Sequence, residues 1–336
     1  MNPNLTPSKI LVVQPAYTGD VVLATPVLER LHRVFPGAEI HFLLRKGNEG
    51  LLKGHPFVQK LFVRDKGKGK LKELWRLLKQ IRAERYDVVV NLHRYSSSGL
   101  LAVFSGAKHI CGFDKNPFSF LYHRQVQHRI GDGTHEVARN LTVVEHFTDQ
   151  QQDSIRLYPS TIDRETIKRD RPYVCIAPTS VWFTKQWPEK KWMELIDSLP
   201  TSLDVLLLGG PTDQAACNRI KGGVSHTNVE TMAGRLTMLQ SVALMEGATM
   251  NFVNDSAPLH FASATNAPVT AVFLSTVPHF GFGPTGSRGS TVETTKSLSC
   301  RPCGLHGFKS CPEGHFECSN IPVEMLLNTL DGAVKD

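Results

Sequence analysis

Residues 249–273, TMNFVNDSAPLHFASATNAPVTAVF, hold two apolar runs of strand length, Thr249–Val253 and Val269–Phe273. Between them come one carboxylate, a helix start and the small-residue helix PLHFASATNA. Continuous rather than alternating apolar runs mark strands covered on both faces, and two such strands joined through a helix run parallel in one sheet. The stretch reads as a βαβ unit, the building block of a doubly wound α/β domain.

The pattern recurs on both sides. Upstream in the same series, strands are expected near Tyr173–Ala177 and Val205–Leu208, with helices between them. A separate series places strands near Ile10–Gln14, Glu39–Leu44, Val58–Val63, Asp87–Leu92 and Lys108–Gly112. Its first helix carries Val27, Leu28, Leu31, Val34 and Phe35 on one face at helical spacing. KGKGKLKELWRLLKQIRAERYD, residues 66–87, reads as another helix behind a basic lead-in. Tyr158–Arg171, YPSTIDRETIKRDR, has few apolar residues and no strand pattern, which suits a linker. The expected fold class is therefore α/β, with two doubly wound domains facing across a cleft. The first spans residues 1–157, the linker 158–171, and the second 172–336 with a cysteine-rich loop and a final helix.

The composition, 41% hydrophobic and 21% charged over 336 residues, is that of a globular protein. No apolar run approaches the roughly 20 residues of a membrane span, and MNPNLTPSKILVVQ lacks a signal-peptide pattern, so the expected compartment is the cytoplasm. The net charge of +7 is uneven: residues 1–150 carry 22 basic against 13 acidic side chains (+9), residues 151–336 carry 16 against 18 (−2). The first half should attract an anionic partner. Nucleic acid, an acidic membrane surface and a phosphorylated glycolipid all fit, and charge alone does not choose among them.

In open α/β sheets ligands sit beyond the carboxyl ends of the strands, so chemistry is sought in the loops found there. VVQPAYTGDVVLATPVL, residues 12–28, brings Gly19 and Asp20 into the first helix. A partly desolvated Asp20 would serve as a base towards a bound hydroxyl, while the competing reading is a helix cap. Gly19 suggests a tight turn or close backbone approach. The loop lacks a dinucleotide fingerprint, and the GFGPTG match at Gly281, Gly283 and Gly286 precedes a strand-like Thr291–Val292 rather than a helix, which disfavours a nicotinamide enzyme. APTSVWFTKQWPEKKWMEL, residues 177–195, offers the Thr179 and Ser180 hydroxyls and the Lys185 charge ahead of a helix starting near Pro188, a diphosphate site in outline, while the competing reading of a lone lysine near a helix is a solvated surface charge. Trp182 and Trp187 read as core or cleft-wall residues. Asp255 would cap the helix that follows it, leaving the amides at Ser256 for an anion or sugar oxygen, and His260 lies one turn on, in the core or at the cleft. CRPCGLHGFKSCPEGHFEC holds Cys300, Cys303, Cys311 and Cys318 with His306 and His315 nearby. Its first pair has zinc-knuckle spacing and its second does not, so zinc and reduced thiols both stay open, and disulfides are not expected in a reducing cytosol.

Taken in order, GDVVLATPVLERLHRVFPGAEIHFLLR, NLHRYSSSGLLAVFSGAKHICGFDK, THEVARNL, TKQWPEKKW, NVETMAGRLTMLQSVALMEGATMNFVNDSAPLHFASATNAPVTAVF and GPTG resemble the ADP-heptose:lipopolysaccharide heptosyltransferases, glycosyltransferase family 9, over nearly the whole chain. The resemblance implies a GT-B fold of two Rossmann-like domains, with the donor held mainly by the second and the acceptor by the first. It implies Asp20 as catalytic base, Lys185 on the donor diphosphate, Ser180 as a further phosphate contact and Glu230 on the donor ribose. Asp255, Ser256 and His260 match the family's Asp-Thr/Ser-Gly-x-x-His segment at the nucleotide sugar, with Ala257 in place of the usual glycine. The implied reaction is inverting transfer of a heptose from ADP-heptose to a lipopolysaccharide inner-core acceptor. No Asp-x-Asp occurs, so metal-independent catalysis without a cofactor is expected. Arg45, Lys46 and Arg64 are the acceptor-side candidates, with Lys53, Lys66, Lys68, Lys70 and Lys72 beside them. Peripheral attachment to the anionic inner leaflet is expected, and nucleic acid is not. The rivals are a GT-B protein that binds sugar nucleotides without transfer, a nucleotide-sugar epimerase or hydrolase, and a nucleic-acid-binding module.

Overall fold

A computed structural model of the chain describes residues 5–65, 67 and 69–333. Lys66 and Lys68 of the basic lead-in lie outside the described residues. The chain divides into two units that meet between Tyr158 and Pro159.

Unit 1 is built on a sheet of β1 (Lys9–Val13), β2 (Glu39–Arg45), β3 (Val58–Arg64), β4 (Val88–Asn91), β5 (His109–Phe113) and β6 (Arg124–Val126). Its helices are α1 (Thr18–Leu23), α2 (Thr25–Val34), α3 (Lys70–Glu84), α4 (Ser96–Val103) and α5 (Glu136–Thr142). The strand order is β3-β2-β1-β4-β5-β6, every pairing parallel, so the order reverses direction between β1 and β4. Because right-handed crossovers put helices on both faces, the central strands are buried on both, which explains why KILVV and VVVN read as unbroken apolar runs. Amphipathic α2 starts at a proline-bearing first turn and buries Val27, Leu28 and Leu31.

Unit 2 repeats the plan with β7 (Tyr173–Ala177), β8 (Asp204–Leu207), β9 (Val229–Thr231), β10 (Met250–Asn254), β11 (Val269–Phe273) and β12 (Gly289–Glu293) in the order β12-β11-β10-β7-β8-β9, again parallel throughout. Around it lie α6 (Thr161–Thr166), α7 (Glu189–Asp197), α8 (Gln214–Gly222), α9 (Met238–Glu246), α10 (Ala257–Ala264) and α11 (Glu324–Ala333). Counted from its own first strand this is the same 3-2-1-4-5-6 order as unit 1, and its switch point falls between β7 and β10. Trp187 and Trp192 meet edge to face in its core, with ring centroids 4.9 Å apart.

Two readings need correction. Gly19 lies inside α1 and is not among the glycines with positive φ, so the turn after β1 does not depend on its conformational freedom. The segment 158–171 contains α6, closed by a reciprocal cap between Ser160 and Asp163. A short polar helix of this kind gains its stability from the cap rather than from an apolar stripe, so its periodicity is silent.

Candidate functional site

In unit 2 three strand ends converge. The loop after β7 winds through a single 3₁₀ turn, Phe183–Lys185, and Asn254 at the end of β10 fixes it by accepting a hydrogen bond from the Trp187 amide at 3.0 Å. Lys185 is thereby aimed along the β10 edge. Its Nζ lies 2.6 Å from Asp255 Oδ2, and the Thr276 hydroxyl, from the loop after β11, donates to the same oxygen at 2.6 Å. Both charges are largely out of water, so each depends on the other: a buried ion stripped of its partner is costly. Asp255 is not the cap expected of it. Ser256 is the N-cap of α10, its hydroxyl donating to Asn254 O at 3.3 Å, while the Asp255 side chain turns to Lys185 and Thr276. His260 is buried within α10. Ser180 lies in the same β7 loop, half-buried, its carbonyl accepting from the Gln186 side chain at 2.6 Å.

Glu230 stands on β9, two strands from β7, roughly 10 Å across the sheet. One of its oxygens pairs with Arg169 at 3.0 Å and the other with Arg235 at 2.9 Å. Arg169 comes from the segment read as a linker. The structure thus brings Lys185, Asp255 and Ser256 together and sets Glu230 apart from them.

In unit 1, Asp20 occupies the third position of α1, where its Oδ2 accepts the Tyr17 amide at 3.0 Å. The cap reading is therefore correct for that oxygen, but it does not exhaust the residue. Burial pushes the Asp20 carboxyl up to about 6, the nearby Glu136 charge adding to the shift, while the Tyr17 amide and Arg94 oppose it. The carboxyl of Glu136, the first residue of α5, is held below its usual range, despite its burial, by His128, whose Nε2 lies 3.7 Å away, and by Arg139, whose Nε lies 2.7 Å away. Arg94, Glu136 and Asn48 carry no signal in the sequence that ties them to Asp20. Asn48 accepts from Thr18 Oγ1 at 2.9 Å and donates to Ala16 O at 3.3 Å, tying the Asp20 loop to the end of β2. Arg94 and Glu136 stand in the NLHRYSSSG and THEVARNL segments, which were legible as motifs but gave no role for these charges.

Of the acceptor-side candidates, Arg45 ends β2 with its guanidinium 5.7 Å from the centre of the Tyr17 ring. Lys46 pairs with Asp65 at 2.8 Å. Arg64 ends β3, and burial lowers its pKa. All belong to the edge of the sheet where the Asp20 loop emerges.

The seven cysteines are free thiols. Cys303 Sγ donates to Cys300 O at 3.0 Å and Cys300 Sγ lies 3.9 Å from His315 Nε2, and among the described residues no group of three or more His, Cys, Asp or Glu is arranged to hold a metal ion. Among the described residues, no helix is long and apolar enough to cross a membrane.

With two parallel sheets of one order and a lysine–carboxylate pair at a switch point, comparison with known proteins is decisive at the level of family. The sequence profile of glycosyltransferase family 9 (heptosyltransferase) matches residues 74–304. The chain belongs to glycosyltransferase family 9. Lipopolysaccharide heptosyltransferase 3 of Escherichia coli K12 is 32% identical over 286 residues, covering 77% of this chain and 80% of its own. Lipopolysaccharide heptosyltransferase 1 of Pseudomonas aeruginosa is 25% identical over 314 residues, covering 88% and 86%. The solved family 9 glycosyltransferase of Veillonella parvula superposes with a TM-score of 0.82 at 20% identity, over 98% of this chain and 97% of that one. The E. coli ADP-heptose lipopolysaccharide heptosyltransferase II gives 0.80 at 20% identity, over 97% and 98%. The fold is thus GT-B and the chain is a glycosyltransferase of the heptosyltransferase family. Lys185, Glu230 and Asp255 fall within the profile match, whereas Asp20 lies before it.

Proposed function

We propose that this family 9 enzyme transfers a heptose from ADP-heptose to a hydroxyl of the lipopolysaccharide inner core, with inversion at the anomeric carbon. The observation that carries the reading is the Asp20 carboxyl, half-buried at the strand ends of unit 1 and raised to about 6. Such a group is ionised at neutral pH yet more basic than an exposed aspartate, which is what proton removal from an alcohol in the transition state demands. As the acceptor oxygen bonds to the anomeric carbon, its proton passes to Asp20. The bond from that carbon to the diphosphate oxygen breaks with its electron pair on the departing ADP. Lys185 meets the charge gathering on the diphosphate, exchanging its contact with Asp255 for one with phosphate, and of the first turn of α10 only the Ala257 amide, with that of the Ser256 cap, is left to join it, because Pro258 has no N–H and Leu259 donates to Ser256 O. Asp255 and Ser256 are left to face sugar hydroxyls, with Ser180 on a phosphate and His260 supporting the corner.

The roughly 10 Å from the β7 end to Glu230 suits a nucleotide whose diphosphate lies at Lys185 and whose ribose, between diphosphate and base, turns its hydroxyls towards Glu230. Arg45, Lys46 and Arg64 suit the phosphates and acids of the inner core. The relatives named lipopolysaccharide heptosyltransferases support a heptose and a lipopolysaccharide acceptor, and the E. coli heptosyltransferase solved with ADP supports the nucleotide. The enzyme works at the cytoplasmic face of the membrane, peripherally attached. Lysine rather than a divalent ion neutralises the leaving group, so chelation with EDTA should leave the rate unchanged.

The test is incubation with ADP-heptose and a heptose-deficient core acceptor, with mass spectrometry of the product and of its anomeric configuration. Retained configuration, or ADP binding with no transfer to any core acceptor, overturns the reading.

A further inference from the structure

We propose that the outward face of α3 is the surface by which unit 1 docks on an anionic lipid bilayer. This deepens the reading above, on which it rests for its purpose: a membrane-borne acceptor needs the enzyme at the membrane.

Helix α3 buries Leu77 and Ile81 in the unit 1 core and leaves Leu71 75% and Trp75 71% exposed. One turn apart, they share a face, bordered by half-buried Leu78, which packs against the core. Lys72, Lys79 and Arg82 are exposed around it. The helix's two carboxylates are directed elsewhere. Glu73 is buried and pairs with Arg76 at 2.6 Å, and Glu84 is held by Lys9 at 3.1 Å and by Lys60. The exposed residues of α3 therefore include no acid. At the last turn, Arg82 Nη1 donates to Phe104 O at 2.9 Å, which sets another half-exposed aromatic residue beside the stripe.

Isolated exposed apolar residues are ordinary, but a leucine and a tryptophan one turn apart within a cationic collar form the pattern of a helix lying in a lipid interface. The charges attract anionic headgroups, the leucine enters the acyl boundary, and the indole sits at headgroup depth with its N–H in the wet layer. The collar and the apolar stripe together select this partner. A nucleic acid would satisfy the cations but not the exposed Leu71, and a second copy would bring the same positive charge. The placement serves the chemistry. Because β3 ends at Arg64 and α3 begins at Lys70, the first turns of α3 stand at the sheet edge that carries Asp20 and Arg45. A bilayer beneath α3 therefore lies on the acceptor side of unit 1.

The full chain should co-sediment with vesicles of one-third phosphatidylglycerol in phosphatidylcholine, and far less with phosphatidylcholine alone or at raised salt. L71S with W75S should lower partitioning at least about tenfold, K79E roughly fivefold or more, and Trp75→Phe only slightly. All these side chains are exposed, so circular dichroism and the thermal midpoint should not move. Transfer to a lipid-free core oligosaccharide by the L71S, W75S variant should equal that of the wild type. Wild-type partitioning by the double variant overturns the proposal, as does indifference of the wild type to phosphatidylglycerol. Trp75-dependent self-association, or Trp75-dependent oligonucleotide binding, in place of vesicle binding also overturns it. Were transfer absent altogether while L71S with W75S still abolished vesicle binding, the enzymatic reading would fail and the docking surface would stand.

Discussion

Asp20 combines two jobs that pull against each other. As the third residue of α1 it caps the helix through Tyr17, and as a carboxylate withdrawn from water it carries a folded-state pKa of about 6. An acid whose pKa rises on folding stabilises the protein only while protonated. That contribution is complete below the unfolded value of about 3.9 and is lost as pH climbs through the folded one. At neutral pH the ionised Asp20 therefore strains unit 1. Two outcomes follow. The kcat/KM for transfer should rise about tenfold per pH unit up to about 6 and then level off, and an untitrated profile from pH 5 to 7 would deny Asp20 the base role. Asp20→Asn should lower kcat about 10²–10⁴-fold while raising the unit 1 unfolding midpoint by about 2–6 °C, a pairing that a purely structural cap would not produce. Asp20 could be singled out from sequence because a lone carboxylate after a first strand is conspicuous. The charges that tune it, Glu136 and Arg94, lie 116 and 74 positions downstream and become its neighbours only through the sheet.

The cysteine-rich loop, open in the sequence between a zinc site and a set of thiols, acts as a buttress for the lysine turn. Thr184 donates its amide to Phe308 O at 3.1 Å and accepts the Phe308 amide at 2.8 Å, and Cys303 donates its amide to Ser275 O at 2.8 Å. Gly307, at φ +78°, lies so close that a Cβ would fall 2.9 Å from Thr184 Oγ1 and 3.0 Å from Lys185 Cγ. Gly314, at φ +75° in the same loop, has nothing within 4 Å of that position. Both Gly→Ala changes incur the same backbone strain, about 1–2 kcal/mol, but only Gly307→Ala displaces the lysine. Calorimetry should show ADP affinity reduced about 5–20-fold in Gly307→Ala and near wild type in Gly314→Ala; equal affinities would deny the loop a positioning role. Lys185→Ala should lower both ADP affinity and the unit 2 midpoint, because Asp255 is left buried and charged. Adding Asp255→Ala should restore part of the stability and none of the affinity. Legibility at this scale follows burial. Tyr173–Ala177 and Val269–Phe273 are legible to the residue because both faces of interior strands are apolar. The short edge strands β6 and β9, RQV and VET, escaped notice because an edge strand gains its place from its neighbour's hydrogen bonds rather than from its own side chains.

At the scale of the whole chain, each unit has its own hydrophobic core, one around Leu11, Val13, Leu77 and Val89, the other around Val174, Trp187, Trp192 and Phe252. The division of labour implied by the chemistry, with base and basic surface in the first and diphosphate corner in the second, should appear in unfolding. A chain with two cores need not melt as one cooperative unit, and differential scanning calorimetry of the full protein should resolve two transitions. A ligand raises the stability of the species that binds it by RT ln(1 + [L]/Kd), about 2.7 kcal/mol at a hundredfold excess over Kd. For a unit of this size that is a shift of about 5–10 °C. If ADP is held by Lys185, Glu230 and the α10 corner, only one of the two transitions should move. Asp20→Asn should displace the other, and Lys185→Ala should shrink the ADP shift. Movement of both transitions by ADP would mean that the nucleotide engages unit 1 directly, and the assignment of the donor to unit 2 would have to be withdrawn.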